Sequence, residues 1–135
     1  FRTSDAFLVK KIYLCGITAC PPHKDIHKTA LGATENVYWE YAESALDVVK
    51  KLQKEGTSVW AIEQTEAATP LYQFQPNPNQ AHAFVLGNEV HGVAQEVVTR
   101  CGQALEIPQF GTKHSLNISV ATGIIVWDFF TKKKL

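Results

Sequence analysis

The sequence AFVLGNEVHG, at residues 83–92, combines an apolar run with a loop bounded by glycines. The run ends at Gly87 and is predicted to be a buried strand, and a helix is predicted to begin near Gly92. The segment matches neither G-x-G-x-x-G nor a P-loop, because Val93 and Ala94 stand where the P-loop needs Lys and Ser or Thr. Ligands of open α/β sheets bind outside the carboxyl ends of strands, so the loop is either a ligand site or an ordinary tight connection.

Strands and helices alternate on both sides of this segment. The clearest helix is amphipathic, with Ser44 as its cap and Gly56 as its stop, and the proline-rich stretch 66–82 is predicted to be a loop. Such alternation predicts an α/β fold with a mostly parallel sheet and helices on both faces. The predicted strands lie at 11–15, 37–39, 58–62, 83–86 and 105–107, and the predicted helices at 25–31, 44–55, 93–100 and 114–132.

Length and composition predict a single globular domain over residues 1–135. The apolar fraction of 45% excludes a disordered chain, and no apolar run is long enough to span a membrane. Thirteen basic and thirteen acidic residues cancel, whereas small nucleic-acid-binding domains are usually basic. Three cysteines are too few, and odd in number, for a disulfide framework, which favours the reducing cytoplasm.

The sequence IPQFGTKHSLNIS, at residues 107–119, leads from a short strand into the last helix. A helix start needs one capping residue, and this segment offers Ser115, Asn117 and Ser119. We expect Asn117 and Ser119 to fall past the cap, where polar side chains need partners that a bound small molecule could supply. The helix that follows is apolar nearly all round, which predicts burial against both the domain core and a partner subunit.

Two other clusters have simpler explanations. Cys15, Cys20, His23 and His27 are zinc-ligand types, but a buried thiol and surface histidines explain them better than a metal site. The lysines at 132–134 are expected to form a solvated end of the chain, with a weak RNA contact as the alternative.

Three separated segments together resemble the SpoU/TrmH family of S-adenosylmethionine (SAM)-dependent RNA ribose 2′-O-methyltransferases, in the SPOUT superfamily. FRTSDAF at 1–7 is similar to the end of motif 1, FVLGNEVHGV at 84–93 to motif 2, and IPQFG with SLNISVA, between 107 and 121, to motif 3. Their order and spacing agree with the family over nearly the whole chain. The Asn and Gly that precede the motif 1 arginine are absent, so we expect the first strand and the start of motif 1 to be missing.

The resemblance implies a C-terminal trefoil knot, a feature that general folding rules would not predict. It also implies a homodimer formed through the last helix. SAM is the implied cofactor, S-adenosylhomocysteine is the product, and the reaction needs no metal because the sulfonium is already a strong electrophile. Backbone groups of Gly87, Ile107 and Leu116 would hold the adenosyl moiety. The other implied cofactor-binding residues are Leu86, Asn88, Gly92, Pro108 and Gln64.

The resemblance also implies four catalytic residues. Arg2 would position a phosphate and stabilise the developing alkoxide, while the proton leaves to a phosphate oxygen or water, because a guanidinium is not deprotonated in proteins. Ser115 and Asn117 would organise the pocket and the ribose, and Glu89 would brace the knot loops. The RNA is expected to be tRNA rather than rRNA, since no appended RNA-binding domain is visible in these 135 residues.

Two other functions stay open at this point. One is a SPOUT-like protein that binds RNA or SAM without turnover, and the other is a base methyltransferase of the same superfamily. The residues Arg2, Glu89 and Ser115 with Asn117 favour the enzyme, and SLNIS in motif 3 favours the ribose-methylating branch by resemblance.

Overall fold

A computed structural model of the chain describes residues 9–16, 37–87, 91–111 and 116–134. The predicted helix at 25–31 lies outside these ranges. The strands are β1 (Lys11–Cys15), β2 (Tyr38–Ala42), β3 (Ser58–Ile62), β4 (Thr69–Pro70), β5 (His82–Val85) and β6 (Ala104–Glu106). The helices are α1 (Ala45–Lys54), α2 (Gln95–Cys101) and α3 (Ile118–Lys134), and a 3₁₀ turn covers Leu71–Gln73.

The described strands form two sheets in which neighbouring strands are parallel. One sheet pairs β1 with β2, and the other has the order β4-β6-β3-β5. Parallel pairing throughout the described strands confirms the predicted sheet type. The predicted arrangement differs in that these strands belong to two sheets instead of one.

Helices cover both faces of the four-stranded sheet, as predicted. Val59 and Ala61 of β3 pack with residues of α1 and α2, among them Val49 and Val97. The alternate residue Trp60 packs on the opposite face, together with Ile125 and Phe129 of α3. This alternation follows from the two-residue period of a strand, and it leaves β3 buried on both sides.

The helix α1 forms as its sequence predicts. The Ser44 hydroxyl accepts a hydrogen bond from the Asp47 N–H at 3.2 Å, which caps the first turn. At the other end Gly56 has φ +88°, its N–H donates to the Gln53 carbonyl, and the next N–H donates to the Leu52 carbonyl. These two bonds form a Schellman motif, which ends the helix with a left-handed glycine.

Two helices begin later than predicted. The helix α2 starts at Gln95 rather than at Val93, because Gly92 has a positive φ and Ala94, with ψ 139°, is extended rather than helical. The helix α3 starts at Ile118 and not at 114, because Asn117 caps it. Backbone conformation sets the first boundary, and a local capping bond sets the second.

The stretch 66–82 is not purely a loop, which corrects the prediction. It contains β4, whose Pro70 pairs with Glu106, and the 3₁₀ turn that follows. Proline is tolerated there because β4 is the edge strand of its sheet and needs no donor on the outer side.

The last helix is only partly covered by the domain. Ile125 is fully buried, whereas Val120, Ile124 and Trp127 lie 51%, 37% and 51% exposed on the outer side. Among the described helices, none combines the length and the apolar character needed to cross a membrane.

Candidate functional site

Three loops leave the four-stranded sheet at the same edge. The strands β5, β3 and β6 are adjacent and parallel, so their carboxyl ends lie side by side. The Glu63 N–H also donates to the Leu105 carbonyl at 3.0 Å, which ties the end of β3 to β6. The sheet therefore brings together most of the described residues that the sequence predicted to bind cofactor: Gln64, Leu86, Gly87, Ile107 and Pro108.

The loop after β5 folds back on its own start. A Cβ atom on Gly87 would lie 2.1 Å from the Gly92 carbonyl carbon and 2.3 Å from the Val93 nitrogen. No side chain fits that space, so the backbone contact requires glycine at position 87. Gly92 has φ +68°, a conformation that glycine adopts most readily. The predicted site residues Gly87 and Gly92 thus meet across the loop.

The Glu63 side chain, which the sequence analysis missed, faces this loop. Its Oε1 atom accepts a hydrogen bond of 2.6 Å from the Val93 N–H, thirty residues further along the chain. A carboxylate directly after a buried strand of a parallel sheet was the available signal. The residue predicted from the sequence was instead the adjacent Gln64, which is exposed.

Five of the seven described residues that were predicted to bind the cofactor are half-buried, and Gln64 and Gly92 are exposed. The five are Leu86, Gly87, Ile107, Pro108 and Leu116, of which Gly87, Ile107 and Leu116 were predicted to hold the adenosyl moiety. Ile107 also packs against the core that contains Leu105 and Ile125, which anchors the loop after β6 to the sheet. Partly shielded backbone groups at three strand ends suit a ligand that is held through main-chain contacts.

The position of Asn117 corrects one expectation. Its Oδ1 atom accepts a hydrogen bond of 2.8 Å from the Ser119 N–H, and its carbonyl accepts from the Ala121 N–H at 2.9 Å. Asn117 is therefore the N-cap of α3 and does not fall past the cap. Its side-chain oxygen already has a protein partner, and the amide nitrogen of the same group is the donor available to a ligand.

Four predicted site residues lie outside the described ranges: Arg2, Asn88, Glu89 and Ser115. The same is true of Cys20, His23 and His27 of the zinc-ligand cluster. Cys15 and Cys101 are described, and burial raises the pKa of each thiol. Both are therefore protonated at neutral pH and are poor nucleophiles.

An open groove of about 470 Å³ lies elsewhere, between the two-stranded sheet and α1. It combines one ammonium group, from Lys51, with three carboxylates. No predicted site residue lines it, and its mixed charge does not define an anion site. The lining residues are Tyr13, Glu40, Ala42, Glu43, Ser44, Asp47, Val48 and Lys51.

Comparison with known proteins identifies the relatives of the chain. It is 27% identical over 125 residues to the 23S rRNA (guanosine-2′-O-)-methyltransferase RlmB of Neisseria meningitidis, covering 93% of this chain and 49% of that protein. It is 32% identical over 91 residues to the tRNA (guanosine(18)-2′-O)-methyltransferase of Aquifex aeolicus, covering 67% and 43%. The chain thus spans about half the length of these curated relatives.

The fold also matches a solved structure. The AdoMet bound rRNA methyltransferase from Sinorhizobium meliloti superposes with a TM-score of 0.87 at 24% identity, covering 99% of this chain and 50% of that one. The family model of the SpoU rRNA Methylase family matches residues 1–127. A match over nearly the whole chain leads to one conclusion: the chain belongs to the SpoU rRNA Methylase family.

Proposed function

We propose that this chain is the catalytic part of an enzyme that transfers a methyl group from SAM to a ribose 2′-hydroxyl of tRNA or rRNA. The observation that carries the proposal is the meeting of three loops at one edge of the sheet, closed by the contact between Gly87 and Gly92. Membership of the SpoU rRNA Methylase family supports it, as do relatives named as guanosine 2′-O-methyltransferases of rRNA and tRNA.

The half-buried backbone at the strand ends fits the adenosyl part of SAM. Main-chain groups of Gly87, Ile107 and Leu116 would hold it, and Leu86 and Pro108 would line the same edge. The AdoMet bound state of a relative with the same fold supports this assignment. The tight return of the loop at Gly87 is also compatible with a trefoil knot in this region, which we include in the proposal.

The residues of the chain would act on the ribose hydroxyl, while bound SAM supplies an electrophilic methyl group. Arg2 would stabilise the alkoxide that develops as the hydroxyl loses its proton to a phosphate oxygen or water. Asn117 would orient the ribose through its amide nitrogen, because its Oδ1 atom is held by the Ser119 N–H. Ser115 would help organise the pocket, and Glu89 would brace the loops.

The exposed side of α3 would bind a second copy of the chain. Val120, Ile124 and Trp127 are spaced at i, i+4 and i+7, so they form one apolar stripe, and each is more than a third exposed. With zero net charge on the chain, RNA binding would rely on a surface built across this dimer. We place the enzyme in the cytoplasm, because three cysteines are too few, and odd in number, for a disulfide framework.

The test uses the full-length protein, SAM and total RNA from a strain that lacks the gene. The RNA is fractionated into tRNA and rRNA, and each fraction is incubated with the protein and SAM. Each fraction is then digested to nucleosides and examined by mass spectrometry. We expect one 2′-O-methylnucleoside to increase in one fraction, which identifies the reaction and the substrate class together.

The possible negative results differ in meaning. A methylated base would assign the protein to base methylation and refute ribose transfer. No new mark in either fraction, with SAM binding intact, would favour a protein that binds without turnover.

A further inference from the structure

The Glu63 carboxylate connects two parts of the candidate site. The residue follows β3 directly, is half-buried, and accepts a hydrogen bond of 2.6 Å from the Val93 N–H. Val93 lies in the segment between β5 and α2, which also contains Gly87. A charged acceptor makes such a bond shorter and stronger than one between neutral groups.

The carboxylate also occupies space that only a glycine leaves open. A Cβ atom on Gly92 would lie 2.8 Å from Glu63 Oε1, and Gly92 has a positive φ of 68°. The neighbouring backbone of Gly92 and Val93 is in turn the part of the loop that presses against Gly87. The Glu63 side chain therefore contacts two consecutive residues, Gly92 and Val93, which form the returning limb of the loop.

We propose that Glu63 is a positioning residue that holds Gly92 and Val93 against Gly87, in the arrangement that binds SAM. This inference rests on the proposed function, because it concerns the same site. Glu63 acts through the backbone of Gly92 and Val93 and has no part in the methyl transfer itself. Without the carboxylate, the returning limb loses a charge-assisted bond, and Gly87 no longer has a fixed surface opposite its backbone.

A positioning role differs measurably from a general contribution to folding. Loss of a positioning residue raises the concentration of SAM needed for binding and for half-maximal rate. It leaves kcat at saturating SAM and the KM for RNA close to the wild-type values. A merely structural role would lower the folded fraction without this selective change in the KM for SAM.

The experiment compares three variants of the full-length protein. Glu63→Gln keeps the shape and an acceptor oxygen but removes the charge, and Glu63→Ala removes both. Glu66→Gln is the matched control, because Glu66 is an exposed carboxylate three residues further on. For each protein we would measure SAM affinity by calorimetry, and the chemical shift and hydrogen exchange of the Val93 amide by NMR without SAM.

We expect Glu63→Ala to bind SAM about tenfold more weakly, with Glu63→Gln between it and the wild type. The Val93 amide proton should move upfield and exchange faster in the same order. Glu66→Gln should match the wild type in every measurement. Because Glu63→Gln is nearly isosteric, it remains informative if Glu63→Ala does not fold.

Two failures can be told apart. If the wild type binds SAM and both Glu63 variants bind it equally well, the positioning role is wrong and the proposed function stands. If the wild type itself does not bind SAM, the proposed function fails and the inference fails with it. In that case the Val93 amide still reports whether the carboxylate holds the loop.

Discussion

The ammonium group of Lys132 lies against Phe74 in two ways at once. Its Nζ atom donates a hydrogen bond of 2.7 Å to the Phe74 carbonyl and lies 5.6 Å from the centroid of the Phe74 ring. The same atom donates to the Leu71 carbonyl at 2.9 Å. It also lies 2.8 Å from Asp128 Oδ2, with which it forms an ion pair. That oxygen accepts no hydrogen bond from the described residues. The expectation that this lysine belongs to a solvated end of the chain was wrong, because it fastens α3 to the 3₁₀ turn.

Replacing Lys132 with Met should therefore destabilise the fold. Two carbonyls would lose a charged donor, and Phe74 is buried, so we expect a loss of about 2 kcal/mol in the free energy of unfolding. Lys50→Met is the control, because Lys50 is exposed on α1 and should change stability by less than about 0.5 kcal/mol. Thermal denaturation of both variants measures the difference, and equal melting temperatures would contradict the anchoring role.

Substitutions at Asn117 separate its structural role from its proposed catalytic role. Asn117→Ala removes the cap of α3 and should cost about 1 kcal/mol, whereas Asn117→Asp keeps a capping oxygen and should retain stability. We expect Asn117→Asp nonetheless to lose methyl transfer, because a carboxylate cannot donate a hydrogen bond to the ribose. Circular dichroism and the nucleoside assay measure the two properties. Full turnover of a stable Asn117→Asp protein would show that the residue is only a cap.

A charge on the apolar stripe of α3 should prevent the proposed dimer. In Val120→Asp, the two copies would each bury an unpaired carboxylate at the interface, which is strongly unfavourable. Sedimentation at micromolar concentration should then show a monomer in place of a dimer. Tyr38→Asp is the matched control, because Tyr38 is 81% exposed and lies on β2, in the other sheet. A wild-type monomer, or a Val120→Asp dimer, would refute this interface.

Stability should fall in mild acid because of His82. Burial lowers the pKa of this ring; the Gln80 carbonyl, 2.8 Å from Nδ1, opposes that shift, and the Lys133 charge adds to it. The unfolded chain then binds more protons than the folded chain, so stability is lost as the pH falls through the histidine's ordinary value of about 6.5.

The variant His82→Phe isolates this effect. It keeps an aromatic ring against Phe74 and Phe129 but cannot titrate. When the pH is lowered from about 7.5 to about 5.5, the melting temperature should decrease less in the variant than in the wild type. Parallel pH profiles would mean that His82 does not contribute.

Local signals in the sequence were enough to predict α1 and the class of the fold. Ser44 and Gly56 act on residues within a few positions of themselves, so their roles are visible in a short window of sequence. The alternation of strands and helices also predicted a parallel sheet, in which the carboxyl ends of neighbouring strands lie at one edge.

Features that depend on distant partners could not be predicted in this way. The strand β4 has two residues and exists because Pro70 pairs with Glu106. The Val93 N–H donates to the Glu63 carboxylate, thirty residues away. Periodicity and propensity describe neighbours along the chain, so neither of them reports such contacts.

The contact between Glu63 and Gly92 can be tested by a double-mutant cycle. Gly92→Ala adds a Cβ in the left-handed region, which costs about 1 kcal/mol by itself, and places it 2.8 Å from Glu63 Oε1. In a Glu63→Ala background only the backbone cost remains. The two substitutions together should therefore destabilise by about 1 kcal/mol less than the sum of the single changes.

Gly102→Ala supplies the matched control for this cycle. Gly102 has φ +72°, close to that of Gly92, but a Cβ there would meet nothing within 4 Å. The loss of unfolding free energy in Gly102→Ala should equal the backbone strain alone. This loss should add to the loss caused by Glu63→Ala, without coupling. If the stability loss of Gly92→Ala also adds to that of Glu63→Ala without coupling, the carboxylate can move away from the loop without a loss of stability. A carboxylate free to move in this way could not be the group that fixes the loop beside Gly87.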